Sequence, residues 1–144
     1  MFRFIVKYLG FLKVVPLLPH LFDTQLRLWA LVSGSEIPQC LDDIEAEVLT
    51  WPGTTRTTHK YGGMQFNYKG KELGHIHSNG LLDMLLTRKI KEQLIKDGRV
   101  SDHHTFIKSG WISFYIRNNE DAVYAQDLLK TACLKNNSVL YSNK

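Results

Sequence analysis

Between Thr54 and Leu86 three glycine-bearing turns cut the chain into four short segments, and this spacing restricts the fold more than any other feature. Gly62-Gly63, Lys69-Gly70 and Ser78-Asn79-Gly80 separate Thr54 to Lys60, Met64 to Tyr68, Lys71 to His77 and Leu81 to Leu86. Each segment has strand length. Connections this short join only antiparallel neighbours, because a parallel crossover needs a dozen or more residues. The expected result is a four-stranded antiparallel meander. Its last strand is apolar at all but one position, which predicts cover on both faces and a central place in the sheet.

Helical periods flank the meander. Ser35 to Thr50 repeats Ile37, Leu41, Ile44 and Val48 on one side, with Pro38 suited to a first turn and Pro52-Gly53 as the stop. Its carboxylates, Asp42, Asp43, Glu45 and Glu47, form a solvated face that can pair with the basic strands beyond. Thr87 caps a helix to about Asp97, with Ile90 and Leu94 inward and Gly98 as terminator. His103 to Ile107 and Trp111 to Arg117 read as two more strands around Lys108-Ser109-Gly110. Asn119 caps a final helix from Glu120 to about Leu134, with Ala122, Ala125, Leu129 and Ala132 at core spacing, and the polar end beyond it is weakly patterned. The expected fold is α+β: an antiparallel sheet of about five to six strands, a meander plus a later strand pair, packed by helices. A single domain over 35–144 follows a helical extension over 1–34.

The extension opens with an apolar stretch that Arg3, Lys7, Lys13, Pro16 and Pro19 interrupt. Its longest uncharged run, Val14 to Phe22, falls well short of the roughly 20 residues a membrane span needs, and no small-residue cleavage pattern follows it. As a helix, Phe2, Ile5, Val6, Leu9 and Leu12 fall opposite Arg3, Lys7 and Gly10. Such a basic amphipathic helix packs on the domain, on a partner chain, or on an anionic membrane surface. A second apolar helix, Leu21 to Val32 with Leu26 and Trp29 inward, ends at Ser33-Gly34.

The formal net charge of +4 is a mild basic bias without a block of five or six consecutive cations, well short of the footprint of a dedicated nucleic-acid binder. Cys40 and Cys133 lie in apolar helical patterns, too few for a disulfide framework and without metal-type spacing. They suit buried, reduced thiols in a cytoplasmic protein, peripheral to a membrane if the first helix docks there.

No phosphate loop, dinucleotide fingerprint, nucleophile elbow or helical zinc-protease motif is present. The chemistry therefore falls to His59, Glu72, His75, His77, Asp83, the pair His103-His104, and the turn Ser109-Gly110-Trp111. Strand alternation places Leu73, His75 and His77 on one face, with Glu72 and Ile76 on the other. A His-x-His pair on a strand can hold a metal ion when a third group completes the set, so His75 and His77 are metal candidates, with His59 and His104 available as the third; the cofactor itself is unknown. The turn decides the role of Asp83. A two-residue Asn79-Gly80 loop sets His75 opposite Met84, whereas a three-residue Ser78–Gly80 loop sets it opposite Asp83. Glycine in the third loop position favours the second register. Asp83 then either orients His75 for acid–base chemistry or completes a buried polar core. Trp111 fills the core or walls a ligand pocket, with Ser109 and Gly110 adding polar contacts. Arg88, Lys89 and Lys91 crowd a helix first turn that the dipole makes unfavourable for cations, which points to an anion nearby.

The strings H-K-Y-G-G-M-Q-F (His59 to Phe66), K-E-L-G-H-I-H-S-N-G-L-L-D (Lys71 to Asp83), the S-G-W turn and E-D-A (Glu120 to Ala122) together resemble the luciferase domain-containing family. The likeness covers about residues 50–134. It implies a small domain with His75, His77 and Asp83 in catalytic positions and with His59, Phe66, Glu72, Ser109, Gly110 and Trp111 as ligand contacts. The order of elements is more distantly similar to the MmcQ/YjbR-type proteins, which implies nucleic-acid binding through Arg56, Lys60, Lys69, Lys71 and the Arg88 to Lys91 cluster. Three functions follow from these readings: a small-ligand-binding or oxidoreductase-like domain at the hairpin, a nucleic-acid module, or a non-catalytic domain held to a membrane or partner.

Overall fold

The glycine turns bring the meander strands into neighbouring antiparallel register. The computed structural model describes residues 18–32 and 34–142. In chain order these residues form α1 (Leu18–Val32), α2 (Ile37–Leu49), β1 (Thr54–Thr58), β2 (Met64–Tyr68), β3 (Lys71–Ile76), β4 (Leu81–Leu85), α3 (Arg88–Lys96), β5 (Ser101–Asp102), β6 (Trp111–Tyr115) and α4 (Asn119–Ser142). The strands make one antiparallel sheet in the order β1-β2-β3-β4-β6-β5, so β4 is central as its apolar sequence requires. The fold is α+β. The expected amphipathic helix at Phe2 to Leu12 lies outside the described residues, and among those described no helix is long and apolar enough to cross a membrane.

One face of the sheet carries the hydrophobic core. Phe66, Gly74, Met84 and Ile112 oppose one another across four strands, and Phe66, Met84 and Ile112 pack in one cluster with Ile44 and Val48 of α2 and Ala125 and Leu129 of α4. Gly74 belongs there because β3 and β4 approach closely: a Cβ on it would meet the Met84 Cβ at 2.6 Å. Cys40 and Cys133 are free and buried beside this core. Arg56 of β1 reaches Glu45 of α2 at 3.4 Å, the expected pairing of the acidic helix with the basic strands.

Four expectations need correction. His103 to Ile107 is not a strand: β5 holds only Ser101 and Asp102, because the His103 ring accepts hydrogen bonds from the backbone amides of Thr105 (3.1 Å) and Phe106 (3.3 Å) and curls the chain away from the ladder. The cap of α4 is Asn118, whose side chain accepts from the Asp121 amide at 2.9 Å, and the helix continues past Leu134 because no glycine or proline interrupts it. Trp29 is not inward but 73 % exposed, on an open stripe with Leu21, Leu28 and Val32. Finally, Leu73 does not share a face with His75. Asn67 pairs with Glu72 and Phe66 with Gly74, which leaves Leu73 as the extra residue of a β-bulge, buried on the core side.

Candidate functional site

The bulge resets the alternation of β3 and brings Glu72 to the face that carries His75, contrary to simple two-residue periodicity. On that face Thr57, Gln65, His75, Asp83, Ser113 and Ser101 form one row across all six strands. A polar row through the middle of a sheet is costly unless it is hydrogen-bonded or used.

The turn has the three-residue register. His77 donates its amide to Leu81 O and Gly80 donates to His77 O, both at 2.9 Å, with Gly80 at φ +82°. His75 therefore stands directly opposite Asp83. His75 Nδ1 donates to Glu72 Oε1 at 2.7 Å. This bond, more than the nearby charges, holds the Glu72 carboxyl below its ordinary range against the opposing effect of burial. It also fixes a ring proton on Nδ1 and turns Nε2 toward Asp83.

Asp83 is 1 % exposed. One of its oxygens accepts a short hydrogen bond from the Ser113 hydroxyl. The other, Oδ2, lies 3.9 Å from His75 Nε2 and 3.7 Å from His103 Nε2, beyond hydrogen-bond length in both directions. His103 is locked as firmly as His75. Because its Nδ1 accepts the two backbone amides, its proton sits on Nε2, aimed at Asp83.

Five of the six histidines gather here. Ligand nitrogens of His59, His75 and His77 lie within 4.8 Å of one another, and a second trio of Asp83, His103 and His104 satisfies the same limit. His59 stacks on His75 with centroids 3.6 Å apart and planes 8° from parallel. Burial, and then proximity to His75, pushes the pKa of His59 down to about 4. Burial likewise lowers His77 and His103, in both cases against the pull of Asp83. The imidazoles of His59, His77 and His103 are thus neutral at pH 7. His59 Nδ1 is buried without a hydrogen-bond partner among the described residues, a cost of about 1–3 kcal/mol that folding alone has no reason to carry.

Trp111 walls the site, its ring centroid 5.9 Å from that of His75 and 5.6 Å from that of His103. Phe106 stacks on His103 at 5.1 Å and is 52 % exposed.

Other expected site residues do not converge here. Phe66 lies in the core on the opposite face, fully buried. Ser109 and Gly110 hold the loop: Ser109 Oγ donates to Phe106 O and accepts from the Trp111 amide, while Gly110 lies so close to β4 that a Cβ would stand 1.9 Å from Leu86 O. Lys91 is not an anion site. Its ammonium is buried and donates to Ile107 O (2.7 Å) and Ser109 O (3.0 Å) and pairs with Asp102 (2.6 Å), which uses all three of its protons. Arg88 and Lys89 stay exposed on α3. The groove of about 490 Å³ along α3, lined by Ile90, Gln93, Leu94, Lys96 and Asp97, contains none of the histidines and brings no reactive groups together.

Asp23 of α1 escapes sequence reasoning. Its carboxylate accepts from the Gly63 amide (2.9 Å), the Ser78 amide (3.0 Å) and the Ser78 hydroxyl (2.8 Å), clasping the two turns that flank His77. The available signal is that Asp23 is the lone acidic residue in the first 34.

The family model of the luciferase domain matches residues 70–132. That span holds Glu72, His75, His77, Asp83, His103 and Trp111 and leaves out His59 and Asp23. No curated protein and no solved structure matches the chain.

Proposed function

From the match of residues 70–132 to the luciferase-domain model and the geometry of the site, we propose that the protein binds a small planar ligand on the polar face of the sheet and moves a proton on it. One observation carries this reading: Asp83 Oδ2, almost completely buried, faces two imidazoles of fixed tautomer at distances that satisfy neither. A group lodged among them would complete what the protein leaves open. His103 Nε2–H offers a donor, Asp83 Oδ2 an acceptor, and Trp111 and Phe106 offer aromatic surfaces to a ring. A ring with neighbouring hydroxyl and carbonyl groups matches that set: the carbonyl oxygen accepts from His103, and the hydroxyl gives its proton to Asp83. These side chains supply binding and proton transfer. The electrons of an oxidoreductase would arrive with the ligand, since neither carboxylate nor imidazole carries them.

Chemical-shift mapping with salicylamide and related phenolic carbonyl compounds tests the reading. Binding should move the Trp111 indole and the His103 and His75 ring resonances together, and Asp83→Asn should abolish the effect. Compounds that move only surface resonances of α3, or that bind the Asn variant equally well, count against it. The nucleic-acid alternative loses two of its expected cations to internal partners, because Arg56 pairs with Glu45 and Lys91 is internally saturated.

A further inference from the structure

We infer that His59, His75 and His77 hold a divalent first-row transition-metal ion beside Asp83, which makes the ligand site a metal centre. The inference rests on the reading above and adds the ion to it.

Three observations converge on these residues. Their ligand nitrogens already lie within 4.8 Å of one another. In a tetrahedral site with metal–nitrogen bonds of about 2.0–2.1 Å those nitrogens stand about 3.3 Å apart, so the set closes when His59 and His75 turn out of their parallel stack to aim lone pairs at a common point. His59 Nδ1 is buried with no hydrogen-bond partner among the described residues. And Glu72 holds the Nδ1 proton of His75, the outer carboxylate that orients a ligating imidazole and makes it more basic.

The second trio is a weaker host, for a specific reason. His103 uses its Nδ1 lone pair on the Thr105 and Phe106 amides, so its Nε2 bears a proton and has no lone pair for an ion. Binding there would need an imidazolate or a refolded loop. His103 is therefore a hydrogen-bond donor next to the metal rather than a ligand to it. Three imidazoles leave the fourth coordination position for water or for the ligand, the pattern of a reactive rather than a structural centre. Nitrogen-only donors select zinc, copper, nickel, cobalt or ferrous iron over magnesium and calcium.

The test uses the full chain, freed of metal by chelation and then titrated with Zn²⁺ in a calorimeter and with Co²⁺ by visible absorption. We expect one ion per chain and cobalt bands of a four-coordinate nitrogen site. H59N and H77N should weaken binding at least 100-fold, more than the loss of an outer partner, which is worth about 10–100-fold. E72Q should weaken it by about 10–100-fold, and H103Q should leave it unchanged. Circular dichroism checks that each variant folds, and E72Q, which removes no ligand, keeps the test decisive if H59N does not. A wild-type protein that binds neither ion, or H103Q weakening binding as much as H59N, overturns the assignment. Ligand shifts at Trp111 without any bound ion would sink the metal and spare the ligand site, and metal binding without ligand shifts would do the reverse.

Discussion

His75 and Asp83 face each other across β3 and β4, with imidazole Nε2 3.9 Å from carboxylate Oδ2, in a register that the Ser78–Gly80 turn dictates. Each is held from behind, His75 by Glu72 and Asp83 by Ser113. The gap between them is therefore a property of the scaffold and not of two wandering side chains.

Gly80 sets that register, and its replacement should be costly for two separable reasons. Gly80 and Gly70 have similar backbone angles, φ +82° and +78°, but a Cβ on Gly80 would stand 2.4 Å from Ile116 O, whereas one on Gly70 meets open space. Gly70→Ala should cost about 1 kcal/mol in strain. Gly80→Ala should cost about 3 kcal/mol or more, because strain and collision add. Thermal melts of the two variants side by side measure the difference, and equal losses would mean that the contact with Ile116 is unimportant.

Acidification should destabilise the metal-free protein. The pKa of His59 falls to about 4 in the folded chain against 6.5 for an ordinary histidine. Between those values the unfolded chain binds a proton that the folded one refuses. Stability is thus fully present above pH 6.5 and is lost as pH drops toward 4, by on the order of 2–3 kcal/mol for this group. His77 and His103, lowered for the same reason, act in the same direction. Urea denaturation at neutral and mildly acid pH reads the slope, and H59N should flatten it. A pH-independent midpoint would contradict the burial of these rings.

Lys91→Met should cost about 2–4 kcal/mol, since it removes a buried ammonium that binds Asp102 and two loop carbonyls. Hydrogen exchange should quicken at Thr105 to Gly110, the loop that places His103 and Phe106. Arg88→Ala and Lys89→Ala should stay within about 0.5 kcal/mol of the parent. An intact loop in the Lys91 variant would return this residue to the pool of candidate anion ligands.

The course of the chain was more legible in the sequence than the contents of the site. Turn glycines spell out the meander, and glycine in the third loop position was enough to choose the register that pairs His75 with Asp83. The bulge at Leu73 hides Glu72 from a strict two-residue count, although Gly74, a lone glycine inside a strand, was a usable sign of it. His103 to Ile107 carries strand-like residues, but one imidazole that bonds its own backbone outweighs their propensity. Asp23 acts on turns 40 and 55 residues away, and no local pattern announces a contact at that range. The gathering of five histidines from three segments is likewise a product of tertiary structure.

The most direct test is a pair of measurements on Asp83→Asn, the isosteric replacement at the centre of the row. If Asp83 is kept for a ligand, the buried charge is a burden on the fold, and its removal should leave stability unchanged or raise it by about 1 kcal/mol. The same change should weaken binding of the phenolic carbonyl probe at least tenfold, a loss of about 1.4 kcal/mol. A variant that loses several kcal/mol of stability yet binds the probe as well as the parent would show that the row serves the fold and not a ligand.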